Sequence, residues 1–178
     1  MAKLKWNRQQ GGQLLVEAMV AISLMLVGLM GIFGVLSRSL GLSRVAADQF
    51  VAANLASEGI EIAKNIFDSD IGAKAWNAGF ADERCYYADY KSTSLEGPID
   101  CEYEDIDEKT KLYLDEGSGL YSHDVGDGQS KFSRIIRVEL GSGVEMVKVI
   151  SEVFWTERGG LDSRIAVEDH FYNWRNPS

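Results

Sequence analysis

From Ala18 to Ser37 the chain runs twenty residues without a charge, and a single carboxylate, Glu17, stands directly before that run. A helix rises about 1.5 Å per residue, so roughly 20 residues of this kind cross the hydrocarbon core of a bilayer. Leu14–Leu36 is therefore read as a transmembrane helix, with only Glu17 and Ser23 departing from an apolar or small composition. No other stretch limits the possible folds as strongly, because a segment this apolar has to be surrounded by lipid or by protein.

Charge orients the span. Met1–Gly12 carries Lys3, Lys5 and Arg8 and no acidic residue, whereas the remainder holds 15 basic against 27 acidic residues. A basic flank on the short side of an apolar span belongs in the cytoplasm, which places the acidic remainder outside it. An extracytoplasmic domain so acidic, with no basic patch in view, repels phosphate backbones, and no direct nucleic-acid binding is expected. Both cysteines, Cys85 and Cys101, fall in that outer part, where disulfides persist. Paired, they would close a short loop and contribute roughly 3 kcal/mol; unpaired, they would be two free buried thiols.

Helical periodicity continues past the apolar run. Leu42, Ala46, Phe50, Ala53, Ala56, Ile60, Ala63 and Phe67 recur in steps of three and four, while Arg38, Arg44, Asp48, Asn54, Glu58, Glu61 and Lys64 fall off that stripe. No proline interrupts Gln13–Phe67, and the span is read as one helix on the order of 80 Å long. Gly28, Gly31 and Gly34 leave a bare strip along it, where a neighbouring helix can approach closely.

Beyond Asp68 the period changes. Ile71–Asp107 reads as irregular, and Glu96–Glu108, with seven carboxylates and no base, reads as a solvated loop. Three strands follow. Phe132, Ile136, Val138 and Leu140 alternate with polar residues, as do Val147, Val149, Val153 and Trp155, and Ile165, Val167 and Phe171 share a face. Turns at Gly141-Ser142-Gly143 and Arg158-Gly159-Gly160 join them into an antiparallel meander, whose apolar face the stripe Phe50–Phe67 would cover. The fold class is thus α+β: a basic leader 1–12, a long helix 13–67 with 14–36 in the membrane, and a globular head 68–178.

Catalytic constellations are not found. His123 and His170 lie in separate segments with neither metal-ligand spacing nor a nucleophile elbow nearby, and they read as surface or strand histidines. The turns at Gly117–Gly119 and Gly126–Gly128 lack the lysine and following helix of a phosphate loop. Asp124-Val125-Gly126-Asp127-Gly128 offers oxygen ligands that could hold calcium, without the spacing of an EF-hand loop; a plain turn is the main reading. No metal or other cofactor is called for.

Glu17 stays out of place. A carboxylate in an apolar span is costly, and it normally has a partner or a purpose. If the chain began at Gln13, Glu17 would lie in the first helical turn, where the helix dipole favours it. The other reading pairs it with a positive group, such as a free N-terminal amine, on another copy.

The N-terminal residues resemble the type IV pilin and type II secretion pseudopilin family. A short basic leader ends in Gly12, Gln13 follows, Glu17 stands at the fifth position after Gly12, and a charge-free apolar helix comes next. Leu14-Leu15-Val16-Glu17-Ala18-Met19-Val20-Ala21 is most similar to minor pilins and minor pseudopilins, and Glu58-Gly59-Ile60-Glu61 has a similar flavour. The resemblance implies a prepilin peptidase that cuts after Gly12 and methylates the new amine, with Glu17 contacting a neighbouring subunit's amine during assembly. It also implies partners in other pilin or pseudopilin subunits. One departure is Gln13, where the family usually has phenylalanine. The expected protein is a non-enzymatic, minor filament subunit, first held in the cytoplasmic membrane and then displayed outside the cell. Two other readings are a permanently anchored single-pass binding protein and a soluble domain released by a signal-peptidase cut at Val45-Ala46-Ala47.

Overall fold

Residues without a proline and rich in alanine and leucine form one helix, α1, over Gln10–Asp70. It is three residues longer at each end than the sequence pattern indicates. The computed structural model describes residues 10–70, 82–101, 108–125, 128–141 and 146–172. It divides into two compact units, Met1–Ala46 and Ala47–Ser178.

In the first unit, α1 from Gly12 to Arg44 presents exposed side chains throughout. The helix is long and apolar enough to cross a membrane, with a best-window mean hydropathy of 2.5. The second unit joins the rest of α1 to seven strands: β1 (Arg84–Tyr87), β2 (Glu96–Ile99), β3 (Lys111–Leu114), β4 (Tyr121–Ser122), β5 (Gly128–Leu140), β6 (Met146–Thr156) and β7 (Asp162–Tyr172). β5, β6 and β7 form the expected antiparallel meander, with Phe132 opposite Trp155 and Val153 opposite Ile165. The other side of β5 is shared. Its C-terminal half pairs with β1, its N-terminal half with β3, and β2 and β4 extend those two partners.

Two short strands, β1 and β2, therefore lie in the stretch that reads as irregular, and two more, β3 and β4, lie beyond it where the sequence indicates no strand. Glu96–Ile99, assigned to a solvated acidic loop, is an edge strand on β1, held near it by the Cys85–Cys101 bridge. Pro98 is tolerated there because an edge strand has amides that need no partner in the sheet. Two- and four-residue strands carry too little alternation to register as a pattern, and the pairing that defines them is non-local. The remainder of the acidic run, 102–107, lies outside the described residues, as does 142–145 in the turn before β6.

The face covered by α1 carries two apolar clusters. Ile60, Ala63, Ile66 and Phe67 pack with Tyr86, Ile136, Val138, Val147 and Val149, and Ala52, Leu55 and Ala56 pack with Leu112, Phe132, Val153 and Trp155. The stripe is thus rotated from its expected course at its N-terminal end. Phe50 is 69% exposed, and Ala52 and Leu55 take the inward positions. Residues 52, 55, 56, 59, 60, 63, 66 and 67 give a flatter contact surface, set by a sheet whose inward side chains the helix pattern alone does not reveal.

Gly59 marks the closest approach. A Cβ built there would collide with the Ser151 hydroxyl, and it would come within 3.0 Å of the Arg134 Cδ and 3.1 Å of the Ser151 Cβ. An exposed helical glycine replaced by alanine gains about 1 kcal/mol, but here overpacking of about 1–3 kcal/mol opposes that gain. Gly59→Ala is expected to lower stability by about 1–2 kcal/mol in chemical denaturation, and Ser151→Ala in the same chain is expected to recover part of the loss. A stabilised Gly59→Ala protein would show that α1 lifts freely from the sheet.

Candidate functional site

The N-terminal candidates are all on α1. Gly12 and Gln13 lie within its first turn, exposed, and nothing stands within 4 Å of a Cβ placed on Gly12. Glu17 lies nearly two turns into α1, so in the uncut chain it is outside the first turn, where no acidic residue is found. It is exposed, and no ion pair to it forms among the described residues. Around it Leu14, Leu15, Val16, Met19 and Val20 are all more than half exposed. Ser23 resolves its own polarity by donating to the Met19 carbonyl at 2.7 Å. Gly28, Gly31 and Gly34 have no atom near a notional Cβ, so their strip is open. Within its own unit this segment offers a lone carboxylate on an apolar surface that no described residue covers.

The head is built around a residue missed by sequence reasoning, Arg134. It shares strand parity with Phe132 and Ile136, so β5 directs it under α1, and its side chain is fully buried. One guanidinium nitrogen, Nη1, donates to the Leu55 carbonyl at 3.0 Å and to Glu58 at 3.2 Å, and Nη2 donates to the Ala88 carbonyl at 2.8 Å. Burial pulls its pKa down, and the Glu58 carboxylate opposes that fall. One side chain thus ties α1, β5 and the segment after β1 together. The signal available in sequence was an arginine at an inward position of an otherwise apolar face, with Glu58 and Gly59 adjacent on a helix. Asp48 of α1 forms a second ion pair to β5, with Lys131.

Beside Ala88 lies a cleft of about 330 Å³, lined by residues that include Tyr87, Asp89, Lys91, Glu96, His123 and Asp124. Asp89 organises it. Its carboxylate accepts from the backbone N–H groups of Lys91 (2.9 Å) and His123 (3.0 Å) and from the Ser92 hydroxyl (3.1 Å). Burial raises its pKa, but these hydrogen bonds together outweigh burial and hold it below the usual carboxylate value. His123, read as a surface or strand histidine, follows directly after β4 and is partly buried, with Nδ1 3.0 Å from the Lys111 carbonyl and Nε2 3.3 Å from that of Ala88. His170 does lie on a strand, β7, and is exposed. Asp124, the first residue of the suggested calcium loop, is instead paired with Lys91 at 2.6 Å; 126–127 of that loop lie outside the described residues. No group of three or more metal-ligating side chains occurs among the described residues.

Burial lowers the His123 pKa below its ordinary 6.5, against the pull of the Lys111 carbonyl. The folded head then holds fewer protons than the unfolded chain once pH drops below about 6.5, so stability falls through that range and levels off below the folded pKa. Unfolding midpoints compared at pH 7.5 and 5 should show this loss in the native chain, and a smaller one in His123→Asn. An equal loss in both would assign it to other groups.

Cys85 and Cys101 are joined, with Cα atoms 5.3 Å apart, within the range that a disulfide requires. The bridge, Ile135 and Phe154 form a small cluster on the sheet face opposite α1. The chain matches no protein-family model, no curated protein sequence and no solved structure.

Proposed function

We propose that the chain is a non-enzymatic structural subunit, of minor type, in a type IV pilus or a type II secretion-like filament. The observation that carries the reading is Gly12-Gln13 followed by Glu17 at the entrance of a charge-free apolar helix. The same helix continues without a break into the segment that docks on an antiparallel sheet. An uncompensated carboxylate at the membrane entrance has a purpose if a neighbouring subunit supplies a cation, and the amine freed by a cut before Gln13 is such a cation. The partners are then a membrane peptidase that makes the cut and other subunits that pack along the exposed apolar face of α1. The protein resides first in the cytoplasmic membrane with its N-terminus inside and afterwards in an extracytoplasmic filament, its acidic head outward.

Mass spectrometry of the mature protein tests this. A terminus at Gln13, dependent on a prepilin peptidase and blocked by Gly12→Val, is the expected result. An intact Met1 terminus, or a cut near Val45-Ala46-Ala47, would overturn it.

A further inference from the structure

Among the described residues β7 pairs with β6 along its whole length and with no strand on its other side. An edge strand this long, with a row of unpaired amides and carbonyls, is a template for another chain, and proteins ordinarily interrupt such edges. Asp162–Tyr172 contains no proline, no glycine and no bulge in its pairing with β6; of its four charged residues, Asp162, Arg164 and Glu168 lie on the outer face and only Asp169 lies on the face toward α1. What it does contain is a self-complementary order of side chains.

We propose that β7 pairs antiparallel with β7 of a second copy of this chain, about a twofold axis through Ala166, which joins the two sheets into one. In that register Arg164 of each copy faces Glu168 of the other, Asp162 faces His170, and Ile165 faces Val167. On the outer face Arg164 and Glu168 each meet an opposite charge, twice per dimer, and Asp162 meets no like charge. On the face toward α1, Ile165 and Val167, partly buried already, gain an apolar neighbour. Sliding the axis to Val167 opposes Arg164 to His170 and Ile165 to Asp169. Sliding it to Ile165 opposes Asp162 to Glu168. Of these three registers only the one on Ala166 avoids both like charges and a carboxylate against an aliphatic side chain, and directly opposed residues are where such pairs act most strongly.

The groups are available for this contact. Arg164 is exposed, at the rim of a hollow that also contains Arg137 and Glu152. Arg137 and Glu152 engage each other at 3.5 Å, and no ion pair to Arg164 is found among the described residues. Glu168 reaches Lys148 of its own sheet at 3.3 Å while its side chain stays 58% exposed, which leaves an oxygen for a second cation. The chain as a whole carries a net charge of −9, so indiscriminate association of heads is opposed by repulsion and the matched edge is where it is relieved. The inference rests on the head alone and is independent of the filament reading.

A cysteine on the twofold axis is the test, in the full chain in its membrane. Directly opposed antiparallel residues have Cα atoms about 4.5–5.5 Å apart, within disulfide range, so Ala166→Cys should form a disulfide-linked dimer. Arg164→Cys alone should not, since its symmetry mate is displaced along the strand by four residues, or about 13 Å. Arg164→Glu in the Ala166→Cys chain should lower the dimer yield roughly threefold or more, and Arg164→Glu with Glu168→Arg should restore it. Equal linking at 164 and 166, or no effect of the charge reversals, would overturn the proposal. A photoreactive residue at 166 gives the same reading where the added thiol disturbs the Cys85–Cys101 bridge, and absence of a self-adduct there also counts against it.

Discussion

Arg134→Ala is expected to destabilise the head by about 3–4 kcal/mol, within the range for truncating a large, fully buried side chain and leaving a cavity behind. The guanidinium is fully buried and bonds the Leu55 and Ala88 carbonyls and Glu58. Its loss leaves a hole between α1 and β5 and removes partners from three acceptors. Arg134→Met should behave differently. A methionine fills most of the space without the desolvation cost of a buried cation, and one guanidinium atom, Nε, has no hydrogen-bond partner to lose. The Leu55 carbonyl still receives its helical amide, and Glu58 is 35% exposed and can be hydrated. Arg134→Met should therefore lie within about 1 kcal/mol of the native protein. Denaturant titration followed by near-ultraviolet circular dichroism compares the two. If methionine costs as much as alanine, the hydrogen bonds rather than the packing hold α1 to the sheet.

Removing the bridge by Cys85→Ala and Cys101→Ala together should cost roughly 3 kcal/mol, as expected for opening a loop of 16 residues. The loss should not stay local. β1 and β2 are four residues each, and β1 places Tyr86 against Ile136 and Val138 under α1. With the bridge gone, a two-stranded ribbon of that length has little to hold it on β5. The native chain in reductant should unfold at the same denaturant concentration as the double variant in oxidant. A native chain indifferent to reductant would show that β1 pairing on β5 suffices.

The parts of this fold that were legible in sequence are those with long, regular periods. α1 could be read almost to its ends because no proline interrupts it, and β5, β6 and β7 could be read from the alternation over 132–140, 147–155 and 165–171, which covers most of strands 11 to 13 residues long. β1 to β4 could not, since a strand of two to four residues is defined by what pairs with it. Of the candidate residues, Glu17 was visible as a charge in an apolar run. Arg134 was not, although it lies on the same strand face as Phe132, because an inward arginine is acceptable only when three acceptors converge on it. Those acceptors come from α1 and from the segment after β1, distant in sequence.

Composition and period by themselves determined that this chain has a membrane-length apolar helix, a basic N-terminal flank, an acidic sheet-bearing head and a lone carboxylate directly before the charge-free run. These are properties of consecutive residues, and hydrophobic transfer and helix geometry act on them directly. Only the tertiary structure decided which face of α1 docks, why Gly59 stands where it does, which arginine is buried, and that β7 is left at an edge. Each of these depends on which distant segments meet, and that is settled by packing against the sheet rather than by any local preference.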